Sequence, residues 1–383
     1  MVALMTRFAR IVSGVAACFA VIPAAGYVAS AGWLAGSSAE AQTTAAQNSF
    51  LSAWNPPGHG GSTVLERFSL STGRPLRTLT SLPGRPATVS GPSVASGSVW
   101  FSVSSGPRDQ NDTASGDPAP NSCSGQVTRF DPTTGVSSTV LSFANSVLVN
   151  HAVPSPNGQV LAMITGNCTS SYFNEHLLVE DLSSGKQWTI GATAARCHAL
   201  FSVAWSPNGS QLVFPFGPAS TTNAQTGIPP SDLGVGMCTT PQPSEIAVVP
   251  AGHESEITAA ELTPPTRGCT YQSAAFDPRG IVAIEACEQG GPPAPGIYLG
   301  DAYLVQLNNN RRVVLRQPLK ISADVGTVAT DPSTGLVLVS ESQGQDDYHG
   351  YVRHAYDWVW TFNGHELHLV GRYPQGAVTA EPF

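Results

Sequence analysis

Charge is scarce in this chain of 383 residues: Asp, Glu, Lys and Arg together make up 11%, and Lys plus Arg number only 18. Nucleic acid is held by basic side chains that displace counterions from phosphates, so a chain with net charge −8 is not built for that partner. Several chemical signatures are also absent. There is no G-x-S-x-G nucleophile elbow, no H-E-x-x-H pair, no P-loop and no dinucleotide-binding glycine pattern in a strand-to-helix context, so no cofactor is expected. No C-x-x-C or Cys/His spacing of the zinc type occurs, and no metal site is expected on that ground. Beyond residue 41 there is no convincing amphipathic helix and no linker-like tract, which leaves a single all-β domain over 42–383.

Turn formers and apolar residues are abundant instead. Gly (38) and Pro (31) together make about 18% of the chain, against roughly 12% in an average protein. Hydrophobic residues at 41% supply enough apolar surface to offset the entropy of ordering the chain. The N-terminal segment reads as an export signal: Arg7 and Arg10 precede an uncharged run from Ile11 to Ala39, and Ala39-Glu-Ala41 has the form of a cleavage site. Residues 1–41 are therefore expected to be removed. Two alternatives are an uncleaved membrane anchor, weakened by Pro23 and several Gly and Ser residues, and a lipoprotein acylated at Cys18 after "VAAC". The mature chain keeps 16 basic and 25 acidic residues and six cysteines, Cys123, Cys168, Cys197, Cys238, Cys269 and Cys287. An even count in an exported protein favours disulfides, and location outside the cytoplasm, secreted or in the cell envelope, is expected.

Self-similarity organises the rest. Four stretches share one layout: "AVPSPNGQVLAM" (152–163), "VAWSPNGSQLVF" (203–214), "AAFDPRGIVAI" (274–284) and "VATDPSTGLVLV" (328–339). Each has a short β-patterned run, Ser-Pro or Asp-Pro, Gly, and a second apolar run, the pattern of a tight hairpin. "SVASGSVWFSV" (93–103) is a fifth copy without proline. A second kind of hairpin alternates with these, at 65–79, 127–141, 177–190, 246–258, 303–315 and 359–370. Two hairpins make a four-stranded blade, and six such units of about 57 residues predict a six-bladed β-propeller. The C-terminal "AVTAEPF" aligns with "VAWSPNG" as an inner strand lacking its partner, and "SFLSAW" (49–54) is a partner lacking its inner strand. Their pairing is expected to close the ring and fix six blades.

The Ser-Pro-Asn-Gly turns at 155–158 and 206–209, with Asp277-Pro-Arg-Gly280 and Asp331-Pro-Ser-Thr-Gly335, resemble the WD40-like (PD40-type) repeat of TolB-type propellers. The Thr72-Gly73 and Thr134-Gly135 turns similarly resemble YVTN-type propellers. The resemblance implies an extracytoplasmic propeller that engages other proteins, and its motifs specify fold, not chemistry.

With strands lettered A to D outward in each blade, A–B and C–D turns share one face and B–C loops and D–A crossings the other. The long segments, 104–125, 216–243, 287–301 and 341–357, all fall on the second face, which is the expected binding face. The six cysteines map there too. Fifteen pairings are formally open, and nearest neighbours are the expected choice: Cys123–Cys168, Cys197–Cys238 and Cys269–Cys287. At the mouth of the channel on this face stand Asn150, His151, His198, Gln272, Glu285, Asp324 and Glu341. The aromatic and His-rich stretch 345–358 adds Tyr348, His349 and Tyr351 as recognition residues, since rigid rings give contact area at low entropic cost. A monomeric binding module for a protein or glycan is the expectation. A metal-assisted hydrolase or lactonase-type lyase using His151, Glu285 and Glu341 is the alternative, and a membrane-anchored envelope scaffold, which requires the N-terminal segment to be kept, is the other.

Overall fold

The computed structural model describes residues 48–54, 63–82, 87–105, 124–143, 147–167, 176–190, 198–199, 202–220, 240–241, 245–251, 262–288, 300–319, 325–331, 334–343, 356–374 and 378–382. The expected signal segment, residues 1–41, lies outside them.

The described residues form six antiparallel sheets, the blades of a six-bladed propeller. Blade 1 orders Val378–Pro382, Ser49–Trp54, Thr63–Ser69 and Pro75–Leu82 as strands A to D. Blade 2 orders Ala87–Ala95, Ser98–Ser105, Ser124–Asp131 and Val136–Phe143. Blade 3 follows with Val147–Pro154, Val160–Asn167, His176–Asp181 and Gln187–Ile190. Blade 4 has Ala204–Trp205, Gln211–Ser220, Glu245–Pro250 and Leu262–Thr263, with His198–Ala199 and Thr240–Pro241 added to the far end of its long strand B. Blade 5 has Cys269–Asp277, Gly280–Glu288, Gly300–Leu307 and Val313–Pro318, and blade 6 has Val325–Asp331, Leu336–Gln343, Tyr356–Phe362 and Leu367–Pro374.

Ring closure occurs as the sequence pattern predicts. Val378–Pro382 pairs antiparallel with Ser49–Trp54, matching Phe50 with Pro382, Leu51 with Glu381 and Ala53 with Val378. In blade 4, strand D is Leu262–Thr263, paired with Ile246–Ala247, and the run expected to follow Pro250 lies outside the described residues.

The core is six walls between successive blades rather than one central mass. Blade 3 offers Ala162, Ile164, Leu177 and Val179 to Leu212, Phe214, Ala247 and Val249 of blade 4. Blades 5 and 6 meet through Val282, Ile284, Leu304, Val337, Val339, Trp360 and Phe362. The wall between blades 6 and 1 is aromatic: Phe50 stacks on Phe68 at 5.2 Å, Tyr373 meets the Phe68 ring edge-on at 5.4 Å, and Leu338 and Val359 complete it. Because a middle strand faces a neighbour on both sides, its residues are apolar without alternation. Val160–Ile164 and Leu212–Phe214 read as continuous hydrophobic runs, whereas the outermost strands Val136–Phe143 and Val313–Pro318 are largely exposed.

Two turn types alternate. In the Ser-Pro-Asn-Gly turns, Gly158 N–H donates to the Ser155 carbonyl, while the Ser155 hydroxyl donates to Asn157 Oδ1 and accepts from Val160 N–H. Ser206 repeats every one of these bonds with Gly209, Asn208 and Gln211. In the other type, a residue's carbonyl accepts from a Gly four positions on, as in Ser69–Gly73, Asp131–Gly135 and Asp181–Gly185. Asp331-Pro-Ser-Thr-Gly335, grouped by sequence with the first type, folds as the second: its extra residue carries Gly335 N–H to the Asp331 carbonyl at 2.8 Å. The proline-free copy makes a two-residue hairpin in which Ser96 (φ 51°) and Gly97 (φ 71°) both have positive φ, the geometry of a type I′ turn.

Removing residues 377–383 strips blade 1 of its inner strand and reopens the ring. A fall in melting temperature of ~10 °C or more is expected, since 1 kcal/mol moves it by about 2–4 °C in domains of 150–250 residues; an unchanged melting temperature contradicts the closure.

Candidate functional site

Each blade turns the free edge of strand A towards the axis, and the main-chain groups on such an edge need partners. The described blades supply them from side chains, at a fixed register. His151, Ser202, Ser273 and Thr327 each stand four residues before the Ser or Asp that opens their A–B turn, and Ser93 takes the matching place in blade 2. Ser93 Oγ donates to the Ala152 carbonyl (3.3 Å), the His151 ring bonds the main chain of Val203, Ser202 Oγ accepts from Ala274 N–H (3.2 Å), and Ser273 Oγ accepts from Val328 N–H (3.0 Å). Each contact reaches the residue just after the equivalent position of the next blade.

Further bonds reinforce these links. Ser104 Oγ bonds both Val149 N–H and its carbonyl (2.9 Å each), Trp205 Nε1 donates to the Val153 carbonyl (2.9 Å), and Thr330 Oγ1 donates to the Phe276 carbonyl. Gln272 is the extra residue of a β-bulge between Tyr271 and Ser273. The bulge lets two consecutive side chains serve blade 6, Gln272 Oε1 accepting from Gly326 N–H (3.0 Å) beside the Ser273 bond. Gly326 packs closely there: a Cβ would lie 2.9 Å from Ile284 Cδ1, which would have to swing aside. Asn150 is the bulged residue of blade 3, between Val149 and His151.

Above this belt, towards the short turns, lies an axial cavity of about 450 Å³, lined by strands A of blades 2 to 6 and rimmed by Ser96, Pro156, Pro207 and Asp331. His151 lines it. Removal from water lowers the His151 pKa to about 4, against a partial rise from its bond to Val203, so the ring is neutral over the physiological range.

Glu285 and Glu341 do not line this cavity. They occupy equivalent places on strand B of blades 5 and 6, each turned into the wall facing the preceding blade, where blades 2 and 4 carry Val103 and Phe216. Their surroundings differ sharply. Glu285 receives Arg316 Nε at 2.8 Å and the Thr266 N–H at 2.6 Å, and Arg316 in turn covers the Tyr303 ring with its Cζ 3.4 Å from the centroid. Cys269 and Cys287, directly paired across strands A and B, form a disulfide beside it, and Arg316 Nη2 approaches Cys287 Sγ at 3.2 Å. The ligand-type atoms of Cys269, Glu285 and Cys287 lie within 4.8 Å of one another, but the sulfurs are bonded and the carboxylate is held by Arg316, so the trio is a staple. Tyr271, opposite Glu285, has its pKa raised by burial and then by that carboxylate.

Glu341 has none of these compensations. It is 1% exposed, neither carboxylate oxygen has a hydrogen-bond partner of full geometry, and Arg372 stacks over Trp358 at 5.1 Å instead of pairing with it. Burial pushes its pKa up to about 7, tempered by the nearby Trp360 indole.

The two carboxylates and His151 therefore stand in three separate settings. His198 pairs through its main chain with Pro218, and its side chain, like that of Asn150, lies outside the described residues. Asp324, Tyr348, His349, Tyr351, Cys123, Cys168, Cys197 and Cys238 are outside them altogether. The belt of Ser93, Ser202, Ser273 and Thr327 is not apparent from composition, although aligning the repeats on the turn proline exposes the common offset of His151, Ser202, Ser273 and Thr327.

No protein-family model matches the chain, and no curated protein matches it in sequence. Similar solved structures include a TolB-type protein of Agrobacterium tumefaciens, at 10% identity and TM-score 0.46 over 88% of this chain and 93% of that one. Another is the periplasmic gluconolactonase of Pseudomonas aeruginosa, at 12% identity and TM-score 0.46 over 87% and 98%. A third is the acylaminoacyl peptidase of Pyrococcus horikoshii, at 13% identity and TM-score 0.40, where the match covers 74% of this chain but 39% of the peptidase. At such identities the likeness is one of fold, and no chemistry follows from it.

Glu341 yields a pH prediction. Its folded pKa lies above the ordinary 4.5, so the folded state gains nothing from ionisation: stability is full below about pH 4.5, falls as pH rises, and is lowest above about 7. Glu341→Gln is expected to match the parent near pH 4.5 and to exceed it by about 3 kcal/mol at pH 8 in chemical denaturation. A difference that does not widen with pH contradicts the uncompensated burial.

Proposed function

We propose that this chain is an extracytoplasmic binding module that recognises a protein or a glycan through the face on which strands B end and strands C begin. The observation that carries this reading is the one-sidedness of the blades. Every described A–B turn is short, and the rims of four of them meet around the cavity mouth, whereas 18 residues (106–123) separate strands B and C of blade 2 and 12 (344–355) separate those of blade 6. Long connections in compact domains carry function more often than the elements they join. The Cys269–Cys287 disulfide, at the same end of blade 5, fits export to an oxidising compartment.

The enzymatic alternative requires His151, Glu285 and Glu341 to converge on one reacting centre. Glu285 is neutralised by Arg316, Glu341 sits in the wall between blades 5 and 6, and His151 faces the axial cavity, so that convergence has no support in the geometry.

Affinity capture from the native extracellular or envelope fraction tests the proposal. The parent chain is expected to retain a partner that is lost when residues 221–237 and 344–355 are replaced by short Gly-Ser linkers, with the melting temperature kept within a few degrees. Equal capture by both proteins would place recognition elsewhere.

A further inference from the structure

The axial cavity lies on the side away from the long connections and has a chemistry of its own. Its volume of about 450 Å³ falls in the range of small-molecule pockets, roughly 300–1,000 Å³. The polar groups inside it, below the rim, are neutral and keep unused hydrogen-bonding capacity. Ser202 accepts the Ala274 N–H and so retains its own O–H to donate. His151 engages Val203 with one ring nitrogen and keeps the other. Thr327 is half-buried at the same level. Between these groups the walls carry apolar side chains, Val94, Ala95, Val153 and Ala275, with Pro156 and Pro207 at the rim and Trp205, held by its bond to the Val153 carbonyl, mostly buried beside them.

Charge is the discriminating feature. Among the described residues no Lys or Arg lines the cavity, and the carboxylate there, Asp331, sits in a rim turn accepting the Thr334 hydroxyl at 2.6 Å. An anion finds no counter-charge there, and a purely apolar ligand would strip water from the imidazole and hydroxyls without replacing its hydrogen bonds. A ligand with hydroxyls that both donate and accept, on a ring whose C–H faces pack against aliphatic side chains and proline, satisfies both demands. We propose that the axial cavity is a binding site for a small uncharged saccharide. The site is separate from the face assigned to partner recognition, and neither assignment depends on the other.

The test is isothermal titration of the full chain with glucose, methyl α-D-glucopyranoside and N-acetylglucosamine, with gluconate and glucosamine as charged controls. At least one neutral sugar is expected to bind saturably, with affinity constant from pH 6 to 8 because His151 stays neutral there, and at least tenfold more tightly than either charged control. Glucose against its methyl glycoside separates a free reducing sugar from the capped end of a glycan. Ala329→Phe, which fills the cavity, is expected to abolish binding. Should that variant not fold, the His151 ring resonances of the parent report the same contact by shifting on titration. Failure of all three neutral sugars to bind, equal binding of the charged controls, or binding that leaves His151 unmoved overturns the proposal.

Discussion

Everything in this ring depends on how the innermost strands dispose of their free edges. Strand A of each blade bonds strand B on one side only, and neighbouring A strands splay too far apart to continue the ladder. Unpaired N–H and C=O groups so close to the axis cost about as much as lost hydrogen bonds. The solution is a side chain at one register position that bonds the main chain of the next blade: Ser93 to Ala152, His151 to Val203, Ser202 to Ala274, Ser273 to Val328. The residue types follow from the task. Serine is short enough to sit between two strands and offers both a donor and an acceptor, so it meets a carbonyl in blade 3 and N–H groups in blades 5 and 6. Hydrophobic walls supply most of the burial, and these directional bonds tie one main-chain position of each described inner strand to a fixed position of the next.

The same constraint shapes the rest of the site. Among the described residues the belt is neutral and bonded to itself, and the carboxylates that looked like a pair from the sequence face outward into the walls. Glu285 and Glu341 show how one position can be handled twice. Blade 5 surrounds its carboxylate with Arg316, a main-chain N–H and a disulfide, whereas blade 6 leaves it against two indoles and lets its protonation shift. Rigid blades in turn leave the opposite face free to carry long connections, which is where the partner-binding role is assigned.

Much of the fold is legible in the sequence. Pro and Gly at fixed spacing marked the A–B turns, and the terminal Glu381-Pro382 betrayed an inner strand in want of Phe50 and its neighbours. The turn at Asp331 was grouped wrongly because one inserted residue, invisible to a Pro/Gly pattern, changes which carbonyl Gly335 reaches. The site was less legible. Asn150 and Gln272 were noticed as polar residues on inner strands, but bulges, which no local composition announces, place them and determine which way their neighbours point. Glu285 and Glu341 looked alike because the difference between them lies in Arg316, 31 residues away on another strand.

Native-state hydrogen exchange at the Val328 amide tests the belt most directly. This N–H has Ser273 Oγ as its acceptor, so in the parent it should exchange only through global opening, and Ser273→Ala should accelerate it at least tenfold while amides in the middle strands of blades 2 and 3 change little. Exchange at Val328 that is equally slow in the two proteins, or a uniform acceleration across all blades, would contradict the claim that side chains of one blade hold the inner edge of the next.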